Sequence, residues 1–210
     1  MMNITVLGAG RIGGTLGKKW AAKGHKVEFG VRDPEADKIR NVIVESGAPD
    51  QCNAVLVEEA GTEADVVVIA VPSSALPDTV SKLPQLKEEV ILIDTTNDFS
   101  RHETNKLSFL REKYPGATLF RAFNSLGWQL FNHPIVDEKK VDHFFCGMDQ
   151  PGGSAEKVGK LIADIGLRPL YIGGMDKAFI ADSLGHLWVQ MAYSLGYGPE
   201  MAYKMVSNKN

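Results

Sequence analysis

Cysteine is scarce: Cys52 and Cys146 are the only two in 210 residues, and neither sits in a pair motif. A disulfide-rich scaffold is excluded. A single bridge stays open, but a reducing cytoplasm is the simpler expectation. Long apolar runs are missing too. The longest, Val66–Val71, is far short of the roughly 18 residues that read as a membrane span. No basic stretch precedes the apolar N-terminus, so no signal peptide is expected. There is no basic excess, with 23 Lys and Arg against 26 Asp and Glu and a formal charge of -3. A nucleic-acid surface is therefore not expected. The histidines, His25, His102, His133, His143 and His186, show no metal-ligand spacing, and no Tyr-x-x-x-Lys occurs, which argues against a short-chain dehydrogenase.

What the chain does contain is ordinary for a globular protein: 44% apolar and 23% charged residues, enough to bury a core. Short β-branched runs alternate with helical patterns. Strands are expected at Ile4–Leu7, Lys26–Val31, Ala54–Val57, Val66–Val71, Val90–Asp94, Thr118–Phe123, His143–Cys146 and Arg168–Ile172. Ile12, Leu16 and Trp20 form one helical stripe, which Gly24 ends. Pro34–Ser46 reads as a helix capped by Asp33, and Ala155–Ile165 as another. The pattern predicts an α/β fold: a Rossmann-type, doubly wound, mostly parallel sheet with a short C-terminal helical extension. The composition changes at Gly173-Gly174. Residues 1–174 are expected to form the dinucleotide-binding domain and residues 175–210 a helical segment packed on it.

The strongest motif is Gly8-Ala9-Gly10-Arg11-Ile12-Gly13, placed after a strand and opening an amphipathic helix. In that context the first Gly allows a tight turn, the second lets backbone approach a pyrophosphate, and the third packs helix on strand. The helix N-terminus adds free N–H groups and partial positive charge. At the end of the second strand, Val31-Arg32-Asp33 decides between cofactors. Glu28 falls too early for a ribose 2′-OH. Asp33 is at about the right distance but is accounted for as a cap. Arg32 suits a 2′-phosphate, with Arg11 and Lys38 adding charge, so NADP is favoured over NAD.

With these residues in place, the chain resembles the NADPH-dependent oxidoreductases of the deazaflavin coenzyme F420. It is also similar to the cytosolic domain of STEAP-type metalloreductases. The resemblance rests on Gly8–Gly13, Phe29–Pro34, Ala70-Val71-Pro72, Arg121–Asn124, Cys146-Gly147, Gly166–Leu170 and Leu187-Trp188. It implies that the loops holding Ala70, Val71, Pro72, Ser73, Asn97, Ala122 and Asn124 frame the nicotinamide. It further implies F420, or FMN or FAD, as hydride acceptor. Two departures stand out: Val31 replaces a common Ser or Thr, and Gly173-Gly174-Met175 replaces Gly-Pro-Leu near the expected acceptor pocket.

Hydride transfer between two rings needs positioning and exclusion of water more than acid–base groups, so no catalytic side chain is expected. His133 and His186 are the histidines that could reach a ligand. Lys177–Tyr197 carries only two charges, Lys177 and Asp182, with Phe179, Ile180, Leu184, Leu187, Trp188, Met191 and Leu195 spread around its wheel. A homodimer through this helix is expected. The rival readings are a non-catalytic dinucleotide sensor or scaffold, with Phe123 or Trp188 filling the pocket, and a free-standing flavin or ferric reductase.

Overall fold

The computed structural model describes residues 1–208. Its main sheet has eight strands: β1 (Asn3–Leu7), β2 (Lys26–Val31), β3 (Cys52–Leu56), β4 (Val66–Ile69), β5 (Ile91–Asp94), β6 (Thr118–Arg121), β9 (Asp142–Gly147) and β10 (Arg168–Tyr171). The order across the sheet is β10-β9-β6-β5-β4-β1-β2-β3. β7 (Ile135–Val136) and β8 (Lys139–Lys140) form a separate hairpin. From β3 to β6 every pair is parallel. β4 and β5 are buried on both faces, as a sheet covered on both sides requires.

The helices are α1 (Arg11–Ala22), α2 (Asp37–Val44), α3 (Leu76–Ser81), α4 (Leu107–Lys113), α5 (Gln129–Asn132), α6 (Ser154–Asp164) and α7 (Ala178–Val189). Two apolar clusters form the core. One gathers Trp20, Phe29, Phe120 and Phe123, the other Leu7, Val67, Leu92 and Leu119. Trp20 is fully buried and its Nε1–H donates to the Leu161 carbonyl at 2.9 Å, tying α1 to α6. Gly17 lets α1 lie on β2, since a Cβ there would stand 2.4 Å from Phe29.

β9 runs antiparallel to β6, with Phe120 opposite Gly147. The segment between them holds only the short α5 and the β7–β8 hairpin, and no long crossover helix exists to return the chain for a parallel strand. β10 then pairs parallel with β9 through α6. The sheet is thus mostly parallel, as expected, with its last two strands reversed.

Several expected boundaries shift. The Val66–Val71 strand stops at Ile69 and Thr118–Phe123 stops at Arg121, so Ala70, Val71, Ala122 and Phe123 lie in turns. Helix α2 begins at Asp37 rather than Pro34, and Asp33 does not cap it. The Asp33 carboxylate instead accepts the Glu35 N–H at 3.0 Å in a turn before the helix. The expected single helix over Lys177–Tyr197 is α7 followed by a π-helical turn, Gln190–Ser194. Both cysteines are free thiols, and burial pushes Cys146 up to about 12.

Candidate functional site

The strand order reverses beside β1: the chain runs outward through β2 and β3, then returns to β4 on the other side. Ligands of open α/β sheets bind beyond the strand ends at such a reversal, and the glycine turn lies there. Gly8 has φ +92 and donates its N–H to the Gly30 carbonyl at 3.0 Å. A Cβ on Gly13 would stand 2.0 Å from the Gly8 carbonyl oxygen, so this glycine serves packing. A Cβ on Gly10 would meet nothing within 4 Å. Gly10 therefore borders open space. It is the N-cap of α1 and no side chain caps that end, which leaves first-turn N–H groups for an anion. Ala9 is partly exposed, and Ile12 packs against the core.

Among the described residues, Arg11, Arg32 and Lys38 have no carboxylate partner. Arg32 and Lys38 are exposed, and Arg11 lies over the Trp128 ring at 5.8 Å. Lys82, paired with Asp78 at 2.9 Å, is within repulsive range of Arg32. Val31 is partly buried at the end of β2. The competing acids are engaged. Glu28 accepts from Thr5 Oγ1 at 3.0 Å and from the Gly61 N–H at 2.8 Å. The charge balance here suits a phosphate better than a ribose hydroxyl.

At the other end of the cleft the turns after β4, β5 and β6 converge. Pro72 and Ser73 follow β4 into a 3-10 turn. Thr95 Oγ1 donates to the Ile69 carbonyl at 2.9 Å, joining the first two turns. The Asn97 Nδ2 donates to the Asn124 carbonyl at 3.2 Å, joining the second and third. Asn124 Nδ2 donates in turn to the Ala181 carbonyl of α7 at 3.0 Å. Ser73 Oγ, Asn124 Oδ1 and Ser125 Oγ are buried without a partner. A carboxamide is the kind of group such orphaned atoms would satisfy.

A buried ionic network behind these turns was not legible in the sequence. Arg121 is fully buried. Its Nε donates to Asp182 Oδ1 at 2.9 Å and one terminal nitrogen to the Thr96 carbonyl at 2.6 Å. The other terminal nitrogen donates to Asn97 Oδ1 at 2.9 Å and Thr104 Oγ1 at 2.8 Å. Asp94 lies 3.7 Å away and takes the Lys106 N–H at 2.6 Å. Asp182 Oδ2 also accepts from the Thr104 N–H at 2.9 Å and Asn105 Nδ2 at 2.7 Å. Arg121 thereby fixes the loop that presents Asn97, and α7 supplies a wall of the site.

Phe123 has φ +60, a region that bulky side chains seldom enter. Its N–H donates to His143 Nε2 at 2.7 Å, and the two rings stack at 5.1 Å. Since Nε2 accepts, the ring proton sits on Nδ1, which has no partner. Burial pushes His143 down to about 3. The histidines singled out in the sequence do less. His133 is exposed. His186 Nε2 bonds to the Arg101 carbonyl at 2.8 Å and its ring meets Phe99 edge-on. Phe123 and Trp188 do not fill the cleft: Phe123 packs on Trp20 and Phe131, and Trp188 Nε1–H donates to the Met201 carbonyl.

No group of three or more metal-ligating side chains occurs among the described residues. A hollow of about 550 Å³ lies between the β7–β8 hairpin and the tail. Its cations Arg168 and Lys204 are paired with buried Asp142, and Lys139 with Asp137.

Residues 3–98 match the family described as NADP oxidoreductase, coenzyme F420-dependent. This match takes in the glycine turn, Phe29–Pro34 and Ala70-Val71-Pro72, while the resembling motifs from Arg121 onward lie outside it. A curated relative, the uncharacterized oxidoreductase YkpB of Bacillus subtilis strain 168, is 27% identical over 163 residues. That alignment takes 75% of this chain and 52% of YkpB, so the chain spans about half the length of this relative. Among solved structures, one from Arthrobacter sp. FB24, provisionally assigned as an F420-dependent NADP-reductase, superposes with TM-score 0.79. It is 21% identical and covers 99% of this chain and 100% of its own. A reductive aminase from Aspergillus terreus, solved with NADPH4, cyclohexanone and allyl amine, gives TM-score 0.68 at 19% identity. It covers 93% of this chain and 62% of its own. These likenesses establish the Rossmann-type fold.

Proposed function

We propose that the protein is an NADP(H)-dependent oxidoreductase that passes hydride between a nicotinamide and F420 or a flavin such as FMN or FAD. The observation that carries this reading is the open space over Gly10 at the uncapped start of α1, together with the cations Arg11, Arg32 and Lys38, which have no carboxylate partner among the described residues. Hydride donation is supplied by the dinucleotide when bound. The chain's own residues do the rest. Gly8–Gly13 and the α1 N-terminus hold the pyrophosphate. Arg32 and Lys38 meet the 2′-phosphate. Ala70–Ser73, Asn97, Ala122 and Asn124 border the nicotinamide, with Asn124 Oδ1 an acceptor for its amide. The transfer itself is made by aligning the two rings at about 3–3.5 Å.

The sensor reading is disfavoured because Phe123 and Trp188 are drawn into the core. The two free thiols fit a reducing cytoplasm, and no described helix is long and apolar enough to cross a membrane. The test is an acceptor screen under NADPH with F420, FMN, FAD, riboflavin and ferric chelates. Turnover of F420 or a flavin is the expected result. Turnover of ferric chelates alone would make it a ferric reductase. Tight NADPH binding with no turnover of any acceptor would restore the sensor reading.

A further inference from the structure

We propose that His143 is a positioning residue for the nicotinamide half of the site, holding the Ala122-Phe123-Asn124 turn in its working shape through the Phe123 N–H. This rests on the oxidoreductase reading above. Three observations lead to it. Phe123 adopts φ +60 although it is neither Gly nor Asn, a conformation that surrounding structure must hold in place. The bond that holds it is short, 2.7 Å, and is the only hydrogen bond of the His143 side chain among the described residues. The ring also stacks on the Phe123 ring with an interplanar angle of 19°.

Position in the fold explains why a residue of β9 can do this. β9 is antiparallel to β6 with Arg121 opposite Cys146, so the start of β9 runs on past the end of β6. His143, the second residue of β9, therefore faces the turn that follows Arg121. A leucine or phenylalanine would fill the same core volume. Neither would accept the Phe123 N–H, which would otherwise be buried without a partner. Freed of this bond, the turn relaxes toward negative φ, and the following residue, Asn124, rotates away from Asn97 and Ala181. The backbone strain is thus placed one residue before the asparagine that carries the unpartnered Oδ1.

The experiment compares His143→Gln with His143→Met. The two side chains are nearly the same size, but only Gln carries an acceptor oxygen. NADPH and adenosine 2′,5′-bisphosphate, which lacks the nicotinamide, are titrated calorimetrically into wild type and both variants. Folding is checked by circular dichroism. His143→Met is expected to lose roughly tenfold in NADPH affinity, the scale of one unmade buried hydrogen bond, and to bind the bisphosphate as wild type does. His143→Gln is expected to stay within about threefold of wild type for both ligands, a difference under 1 kcal/mol. Wild-type NADPH binding by a folded His143→Met overturns the proposal, and so does an equal loss for both ligands. If His143→Met does not fold, His143→Leu takes its place in the comparison, with the same NADPH-specific loss expected and wild-type NADPH binding again overturning the proposal. A wild type that binds neither ligand defeats the oxidoreductase reading, a pattern distinct from any variant-specific loss.

Discussion

The Arg121 guanidinium and the Asp182 carboxylate meet at 2.9 Å with both side chains fully withdrawn from water. They join the last parallel strand of the sheet to α7. Removing one member of a buried pair leaves the other charge uncompensated, which costs about 3–5 kcal/mol. Arg121→Met is the harsher change, because it strands both Asp94 and Asp182. We expect a loss at the upper end of that range, read from urea unfolding. Asp182→Asn, which keeps an acceptor, should cost less. Equal stability of Arg121→Met and wild type would mean that the network carries no structural weight.

Gly10 and Gly13 should respond oppositely to a side chain. Gly13→Ala places a methyl 2.0 Å from the Gly8 carbonyl. Overpacking of this kind costs about 1–3 kcal/mol, and here backbone must move. A Cβ at Gly10 meets no protein atom within 4 Å, so Gly10→Val should melt near the wild-type temperature while losing NADPH binding. Thermal melts paired with cofactor titration distinguish the two. Normal NADPH binding by Gly10→Val would make the turn purely structural.

Arg32 should set the preference for NADPH over NADH. A hydrogen bond to a charged group is worth about 1.5–3 kcal/mol, or roughly 10- to 150-fold in affinity. Arg32→Ala should bring the two cofactors close together by weakening NADPH alone. A preference that survives in Arg32→Ala shifts the role to Arg11 or Lys38.

His143 also predicts an acid sensitivity. Its folded value, about 3, lies below the ordinary 6.5, so between these values the unfolded chain binds the extra proton. Stability from this group is complete above pH 6.5 and falls as pH drops toward 3, by about 1.4 kcal/mol per unit. The titrating carboxylates contribute to wild type and His143→Gln alike. The difference in unfolding free energy between the two should therefore shrink from pH 7 to pH 4.5. A difference that stays constant across that range would show that His143 does not titrate on unfolding.

The exposed face of α7 and the π-turn predicts a homodimer. Phe179, Leu187, Tyr193 and Leu195 are 58%, 46%, 63% and 61% exposed, whereas Trp188 of the same helix is buried. A patch of this kind is rarely left in water. Light scattering at micromolar concentration should report twice the 22.9 kDa chain mass. Leu187→Glu should shift it to the monomer, and Lys177→Glu should not. A wild-type monomer ends this claim.

Much of the fold was readable because each strand–helix unit is locally encoded. Val66–Ile69 is apolar on both faces, and Ile12, Leu16 and Trp20 share one stripe. The glycine turn was readable for the same reason, since its spacing and its flanking elements are adjacent in sequence. The Arg121–Asp182 pair was not, because 61 residues separate its members and Asp182 looks like a solvated charge on an apolar helix. His143 was passed over because its partner is a backbone N–H, which leaves no trace in side-chain spacing. The reversal of β9 escaped as well. Alternation of apolar residues reports burial, and strand direction depends on the length of the connection before it. The only pointer was the gap between β6 and β9, too poor in helix for a crossover.

That reversal bears on how the molecule can be handled. The start of β9 stands at the cleft end of the sheet, and the tail is fastened to it there. Tyr203 offers its carbonyl to the Asp142 N–H, and the Met205 N–H reaches the Asp142 carboxylate at 2.6 Å. The opening residues of β1 lie at the opposite end, a strand's length of roughly 17 Å from the glycine turn. An affinity tag or reporter joined ahead of Asn3 is held off from the cleft by that length. One joined beyond the tail pulls on the anchor of β9, so immobilisation for binding measurements belongs at the front of the chain.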